Sequence, residues 1–249
     1  MLCKERRKDK PMKITKEQIQ AISKYKNSIY DVIKREFLYH SNKIEGSTFT
    51  RENLDKYLDK KIIEGSHKVD DVYETINSVE LFDFVITTLG EKLTKTLILE
   101  FHRMLKRNTS DFQYGFSGVW KKIPNQITGS DIVLAQPWEV DIRIEDLLRW
   151  WKDSPKEFKD VVKFHGEFEK IHPFQDGNGR IGRFVMLKQC NENEICLIGI
   201  DEKYNDVYKK AIYEAQKTGD YTKLEEVFEK CQEFLHEKNQ MLVDTLKCL

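Results

Sequence analysis

Residues 172–183 read His-Pro-Phe-Gln-Asp-Gly-Asn-Gly-Arg-Ile-Gly-Arg. One imidazole, one carboxylate, two guanidiniums and three glycines fall within that single run. His172 has an ordinary pKa near 6.5, which suits a general base at neutral pH. Asp176 is an oxygen donor of the kind magnesium takes alongside substrate phosphates. Gly177-Asn178-Gly179 can turn tightly and bring backbone amides close to a ligand. Those amides then face an anion at a helix start, helped by the helix dipole. Arg180 and Arg183, three apart on that helix, can each bind a separate phosphate with bidentate geometry. Taken singly, each residue has a plainer reading: a buried histidine, an ordinary turn, two surface charges. Pro173 and Phe174 read structurally, as a helix exit and a core anchor. The run as a whole suits a site for a polyphosphate, a divalent metal and a nucleophile.

The elements that must position this run are helical. Thr15-Lys16-Glu17-Gln18 has the pattern of a capping box. Ile19, Ile22, Tyr25, Ile29, Val32 and Ile33 then recur at helical spacing, and the helix is expected to continue toward Tyr39. Residues 41–47 are expected as a separate short element stopped by Gly46. Thr50 caps a further helix through Leu58. Helices are expected over 69–89, 94–105, 142–151, 156–171, 180–190, 204–217 and 222–246. Between them, residues 112–138 carry Gly115, Gly118, Pro124, Gly129 and Pro137 around the strand-like Val119-Trp120 and Gln126-Ile127-Thr128, which predicts a β-hairpin flap. The expected architecture is all-α: one compact domain with a single β-hairpin, comprising a flexible basic tail (1–13), N-terminal helices (14–60) and a core with C-terminal helices (61–249).

Composition narrows the function classes. The chain has 249 residues, with Lys+Arg and Asp+Glu both 42. The resulting zero net charge lacks the basic excess of a duplex-binding protein, so no nucleic-acid partner is expected. The five cysteines Cys3, Cys190, Cys196, Cys231 and Cys248 include no C-x-x-C pair, which points away from a disulfide framework and toward a cytoplasmic location. No run approaches membrane-spanning length, and residues 1–13 lack the apolar stretch of a secretory signal.

The run from His172 to Arg183 resembles the signature of the Fic family, HPFx(D/E)GNGRxxR, at every defined position. The resemblance extends over about Ser41 to Leu235, with 118–129 similar to the family's flap and 204–220 to its nucleotide-flanking helix. It implies the Fic fold and transfer of AMP from ATP, with Mg2+, to a Ser, Thr or Tyr hydroxyl of a target protein, releasing pyrophosphate. It further implies that His172 takes the hydroxyl proton and Asp176 holds magnesium. Gly177, Gly179 and the Asn178 side chain would stabilise charge on the α-phosphate, with Arg180 at the β-phosphate and Arg183 at the γ-phosphate. Tyr208 and Gln216 are the expected adenine contacts. The flap edge Gln126-Ile127-Thr128 would pair with an extended target segment. Family flaps often carry arginine beside the aromatic residue, whereas here Lys121 and Lys122 follow Trp120. Self-association and auto-modification are also implied.

Ser41-Asn42-Lys43-Ile44-Glu45-Gly46 fits a second family pattern, (S/T)xxxE(G/N), of an N-terminal inhibitory helix. Glu45 would pair with Arg183 and deny it to the γ-phosphate, with Ser41 fixing the glutamate or its helix. Other outcomes stay open on the same scaffold: removal of AMP, or transfer of another phosphate-containing group. His165, Glu169 and His172 at i, i+4 and i+7 suggest a metal-dependent hydrolase, although the spacing misses H-E-x-x-H and leaves both arginines unexplained. A non-enzymatic binding module is the last rival, and the intact signature stands against it.

Overall fold

The computed structural model describes residues 15–26, 28–127 and 129–238. The basic tail, Thr128, Cys3, Cys248 and the stretch beyond residue 238 lie outside the described residues. Among the described residues there are eleven α-helices and one 3-10 turn. They are α1 (Lys16–Ile22), α2 (Ile29–Ile44), α3 (Arg51–Lys60), α4 (Val69–Thr87), α5 (Lys95–Leu105), α6 (Ser110–Gln113), α7 (Val140–Asp153), α8 (Phe158–Ile171), α9 (Asn178–Glu192), the 3-10 turn Glu202–Tyr204, α10 (Asn205–Thr218) and α11 (Thr222–Lys238). None of the described helices is long and apolar enough to cross a membrane.

Local chemistry accounts for the boundaries. The capping box at Thr15 forms: its side chain accepts from the Gln18 N–H, and the Gln18 side chain accepts from the Thr15 N–H. Thr50 and Thr94 cap α3 and α5 in the same way. Two expected boundaries move. The first helix stops at Ile22 rather than running to Tyr39, and α2 restarts after Ser28 with extended backbone there. Residues 41–44 are the last turn of α2, not a separate element, because nothing between Tyr39 and Ile44 breaks a helix. Gly46, at φ +84, provides the expected stop.

The centre of the fold is α9. Its residues from Ile181 to Asn191 are all buried, including the charged Arg183 and Lys188. A helix buried on every face must be wrapped, and α1, α2, α4, α5 and α8 pack around it. Phe184 meets Phe37 of α2 at 4.9 Å, and Phe37 meets Phe82 of α4 at 5.5 Å. Each such ring contributes about 1.5–3 kcal/mol through burial. Lys188 escapes an unpaired burial by donating to Thr88 O and to Glu192, 2.7 Å away. α10 and α11 pack on each other and on α8.

The β-hairpin expected within 112–138 is absent among the described residues, which carry no strand there. The segment is an irregular flap held by bonds to other elements and by short turns of its own. Lys121 N–H donates to Pro173 O (2.8 Å), and Asn125 Nδ2 donates to Phe174 O (2.9 Å). Ser130 N–H closes a tight turn on Ile127 O (3.0 Å). At its far end Asp131 accepts from Tyr213 and Lys217 of α10.

Candidate active site

The site forms where α8 ends and α9 begins. His172 is the residue past α8, in the left-handed region at φ 51, and its N–H still caps Phe168 O at 3.0 Å. That conformation costs a non-glycine residue about 1–2 kcal/mol, yet it reverses the chain into the loop. Phe174 then plunges into the core, stacked on His102 at 3.8 Å and packed against Trp120 at 5.3 Å. Gly177, at φ +82, opens α9.

Hydrogen-bond partners fix the protonation of both histidines. Nδ1 of His172 faces Glu169 O at 3.3 Å. A carbonyl can only accept, so Nδ1 carries the hydrogen and Nε2 keeps its lone pair. Burial, reinforced by the positive charge of Lys121, pushes the His172 pKa down to about 4, so the ring is neutral at pH 7. His102 receives the Gly118 N–H at Nδ1 (3.0 Å), so its Nε2–H donates to Asp176 O (3.0 Å). Burial holds its pKa down at about 3. The neutral ring thus ties α5, the flap and the loop together.

Asp176 is 58% exposed, and its Oδ2 is shared by Lys106 and Arg180, the latter at 3.4 Å. Burial would raise its pKa, but the charges of Lys106 and Arg180 prevail and hold it near 2. Lys106 is itself buried and also pairs with Glu74 (2.5 Å) and Asp111 (2.8 Å). Arg180 makes a bidentate pair with Glu74 at 2.6 and 3.2 Å. Among the described residues there is no group of three or more His, Cys, Asp or Glu placed to hold a metal. The lone exposed, permanently ionised Asp176 therefore fits a cation that takes one protein carboxylate and completes its shell with phosphate oxygens, as magnesium does.

Arg183, expected at a γ-phosphate, is enclosed. Its Nε donates to Ser41 Oγ (2.9 Å), and its Nη2 to Ser41 O (3.0 Å) and to Glu45 Oε1 (2.6 Å). Glu45 thus meets Arg183 across 138 residues of chain, and Ser41, expected to fix the glutamate or its helix, bonds to Arg183 itself. Burial would raise the Glu45 pKa, but Arg183 and Arg180 outweigh it and the carboxylate stays ionised. It lies against the start of α9, where a Cβ on Gly179 would overlap Glu45 Oε1.

A cleft of about 520 Å³ opens beside this pair, lined in part by Glu45, Glu169, His172, Gly179, Arg183, Tyr208 and Gln216. The expected base, the two expected adenine contacts and Arg183 therefore share one cavity, with Ile127 of the flap at its edge. The buried Asn178 side chain closes the loop: Oδ1 accepts from Phe174 N–H (2.7 Å), and one Nδ2–H donates to Phe174 O (2.9 Å), with the second Nδ2–H left over. The hydrolase spacing dissolves, since His165 Nε2 turns to Tyr208 OH at 2.8 Å. Sequence reasoning missed Glu74, Lys106, His102 and Lys121. Lys121 points inward, its Nζ on Asn125 Oδ1 (2.8 Å), and burial lowers its pKa to about 8.

A helical body built around an α8–loop–α9 anion site defines the class. Residues 92–190 match the model of the Fic/DOC family. Among relatives, the protein adenylyltransferase Fic of Nematostella vectensis is 27% identical over 156 residues, covering 60% of this chain and 35% of that protein. A probable protein adenylyltransferase of Aquifex aeolicus is 31% identical over 115 residues, covering 41% and 35%. The chain thus spans about a third of the length of these relatives. A Fic domain containing signaling protein from Bacteroides thetaiotaomicron shares the fold at TM-score 0.69 and 21% identity, covering 93% of this chain and 94% of that one.

Proposed function

We propose that the protein transfers AMP from ATP to a hydroxyl side chain of a target protein and releases pyrophosphate, and that Glu45 holds it in check. The observation that carries this reading is a neutral His172 with Nε2 free, at the edge of a cleft whose far wall is Arg183 and the start of α9. Nε2 accepts the proton of the target hydroxyl. The oxygen attacks the α-phosphorus in line, and pyrophosphate leaves on the opposite side. The amides at Gly177 and Gly179, with the dipole of α9, stabilise the charge that develops. Arg180 lies toward the β-phosphate and Arg183 toward the γ-phosphate. Magnesium on Asp176, when bound, supplies neutralising charge to the α- and β-phosphates. Tyr208 and Gln216 wall the adenine end. The Gln126-Ile127 edge of the flap presents backbone to the target segment, and the target's own approach would order it. The names of the relatives support the AMP-transfer reading.

The brake follows from charge. A polyphosphate entering the cleft meets the Glu45 carboxylate, already seated on Arg183 and over Gly179. The test is labelled ATP with magnesium, offered to wild type, Glu45→Gly and His172→Ala in a cell lysate. Glu45→Gly should raise label transfer at least about tenfold. His172→Ala should lower it about 10²–10⁴-fold while ATP still binds. Equal labelling by all three proteins would overturn both assignments.

A further inference from the structure

Glu169 is 8% exposed on α8, three residues before His172, and lines the same cleft. Its Oε1 is fully enclosed and has no hydrogen-bond donor. The carboxyl has room only because residue 182 is glycine; a Cβ there would overlap Oε1. The neighbours cannot serve it. The Tyr208 hydroxyl is on His165, and Arg183 is held by Ser41 and Glu45. A carboxylate buried without a partner is strongly disfavoured, so the group must either keep its proton or acquire Arg183.

Two carboxyls therefore face one guanidinium. We propose that Glu169 is a determinant of polyphosphate binding: as the neutral acid it leaves Arg183 free for an anionic ligand, and as the carboxylate it competes for that same guanidinium. The inference rests on the nucleotide-binding reading of the cleft. The charged and titratable groups facing Glu169 are Glu45 from α2, Arg183 from α9, Tyr208 from α10, and His165 and His172 on α8 itself. Tyr208 and both histidines are uncharged at neutral pH. Burial raises the Glu169 pKa, Arg183 draws it back and Glu45 adds to the rise, leaving it at about 8. Withdrawing Glu45 removes one raising charge and frees Arg183, so the proton is then held less firmly. Ligand binding to Arg183 and ionisation of Glu169 become mutually exclusive, and affinity must fall as pH rises.

The test measures binding of tripolyphosphate and of ATP to the full chain between about pH 4.5 and about pH 9, a range that spans the ordinary and the raised position of the carboxyl. Glu45→Gly is compared with Glu45→Gly/Glu169→Gln. The first should lose roughly tenfold or more in affinity across the range, and the second less than about twofold. Lys121 titrates in the same window, so the readout is the difference between the two slopes. Parallel slopes would overturn the proposal. A carboxyl infrared titration of the unmutated protein gives an independent arm, and an ionised Glu169 at neutral pH would overturn it as well. Absence of adenylyl transfer with the slope difference intact would sink the transferase reading and leave the Glu169 assignment standing.

Discussion

At the scale of single residues, the site is governed by which lone pairs and charges are already taken. His172 spends Nδ1–H on Glu169 O, and burial keeps the ring unprotonated. In the free protein its ring should titrate near pH 4 by NMR rather than near the ordinary 6.5; a midpoint above 6 would contradict the buried geometry. Gly179 shows the converse use of empty space. Gly179→Ala pushes a methyl into Glu45 Oε1 and toward Arg183. Overpacking of this kind costs typically ~1–3 kcal/mol, so the melting temperature should drop. The variant breaks the Glu45 contact yet should show no gain in transfer, because the methyl also fills the phosphate's place. Activation of Gly179→Ala to the level of Glu45→Gly would refute that placement. His172, Asp176, Arg180 and Arg183 were legible because they fall in one run of sequence. Glu74 and Lys106 were not, since they reach Arg180 and Asp176 from 106 and 70 residues away and no local spacing announces the pairing.

At the scale of elements, the proposed brake is the end of one helix pressed on the start of another. The last turn of α2 supplies Ser41, its C-cap is Glu45 one turn further on, and Gly46 follows in the left-handed region. The spacing of Ser41 and Glu45 could be read from sequence; that Ser41 ends a single continuous α2 was missed, although no breaker lies between Tyr39 and Ile44. Removing Glu45 takes from buried Arg183 its ionised partner and leaves the Ser41 bonds. The side chain of Glu45 keeps 27% of its surface exposed, so the cost should be below the 3–5 kcal/mol of a fully buried pair, about 1–3 kcal/mol. Saturating ATP should then raise the melting temperature of Glu45→Gly more than that of wild type, since the phosphate replaces the lost partner. Ser41→Ala should release less, because the Glu45 contact survives. A larger gain in transfer from Ser41→Ala than from Glu45→Gly would place the brake elsewhere. The flap was the element least legible. Glycines and prolines marked it correctly as a break in the helical pattern, but the alternation around Trp120 and Gln126 serves anchoring to Pro173 and Phe174 rather than a ladder.

At the scale of the whole molecule, the buried titratable groups around α8 and α9 give stability a pH signature. His102, His165 and His172 are all depressed, to about 3, about 3 and about 4, with burial the leading cause for each. The unfolded chain therefore binds more protons than the folded one below about pH 6.5, and stability falls as acid is added. Glu169 acts with the opposite sign. Its folded pKa of about 8 lies above the ordinary 4.5, so the folded chain holds an extra proton between those values and stability declines as pH rises through them. Below about pH 6.5 the three histidines outweigh the single carboxyl. Between about pH 6.5 and about pH 8 the histidines are silent, and of these four groups only Glu169 still contributes. The melting temperature of wild type should thus peak near pH 6.5 and decline toward pH 8, whereas Glu169→Gln, neutral throughout, should decline less over that interval and show a steeper acid limb between about pH 4.5 and about pH 6.5, where the opposing carboxyl is gone. Superimposable curves for the two proteins across pH 6.5–8 would mean that Glu169 is not the proton reservoir in the wall of this cleft.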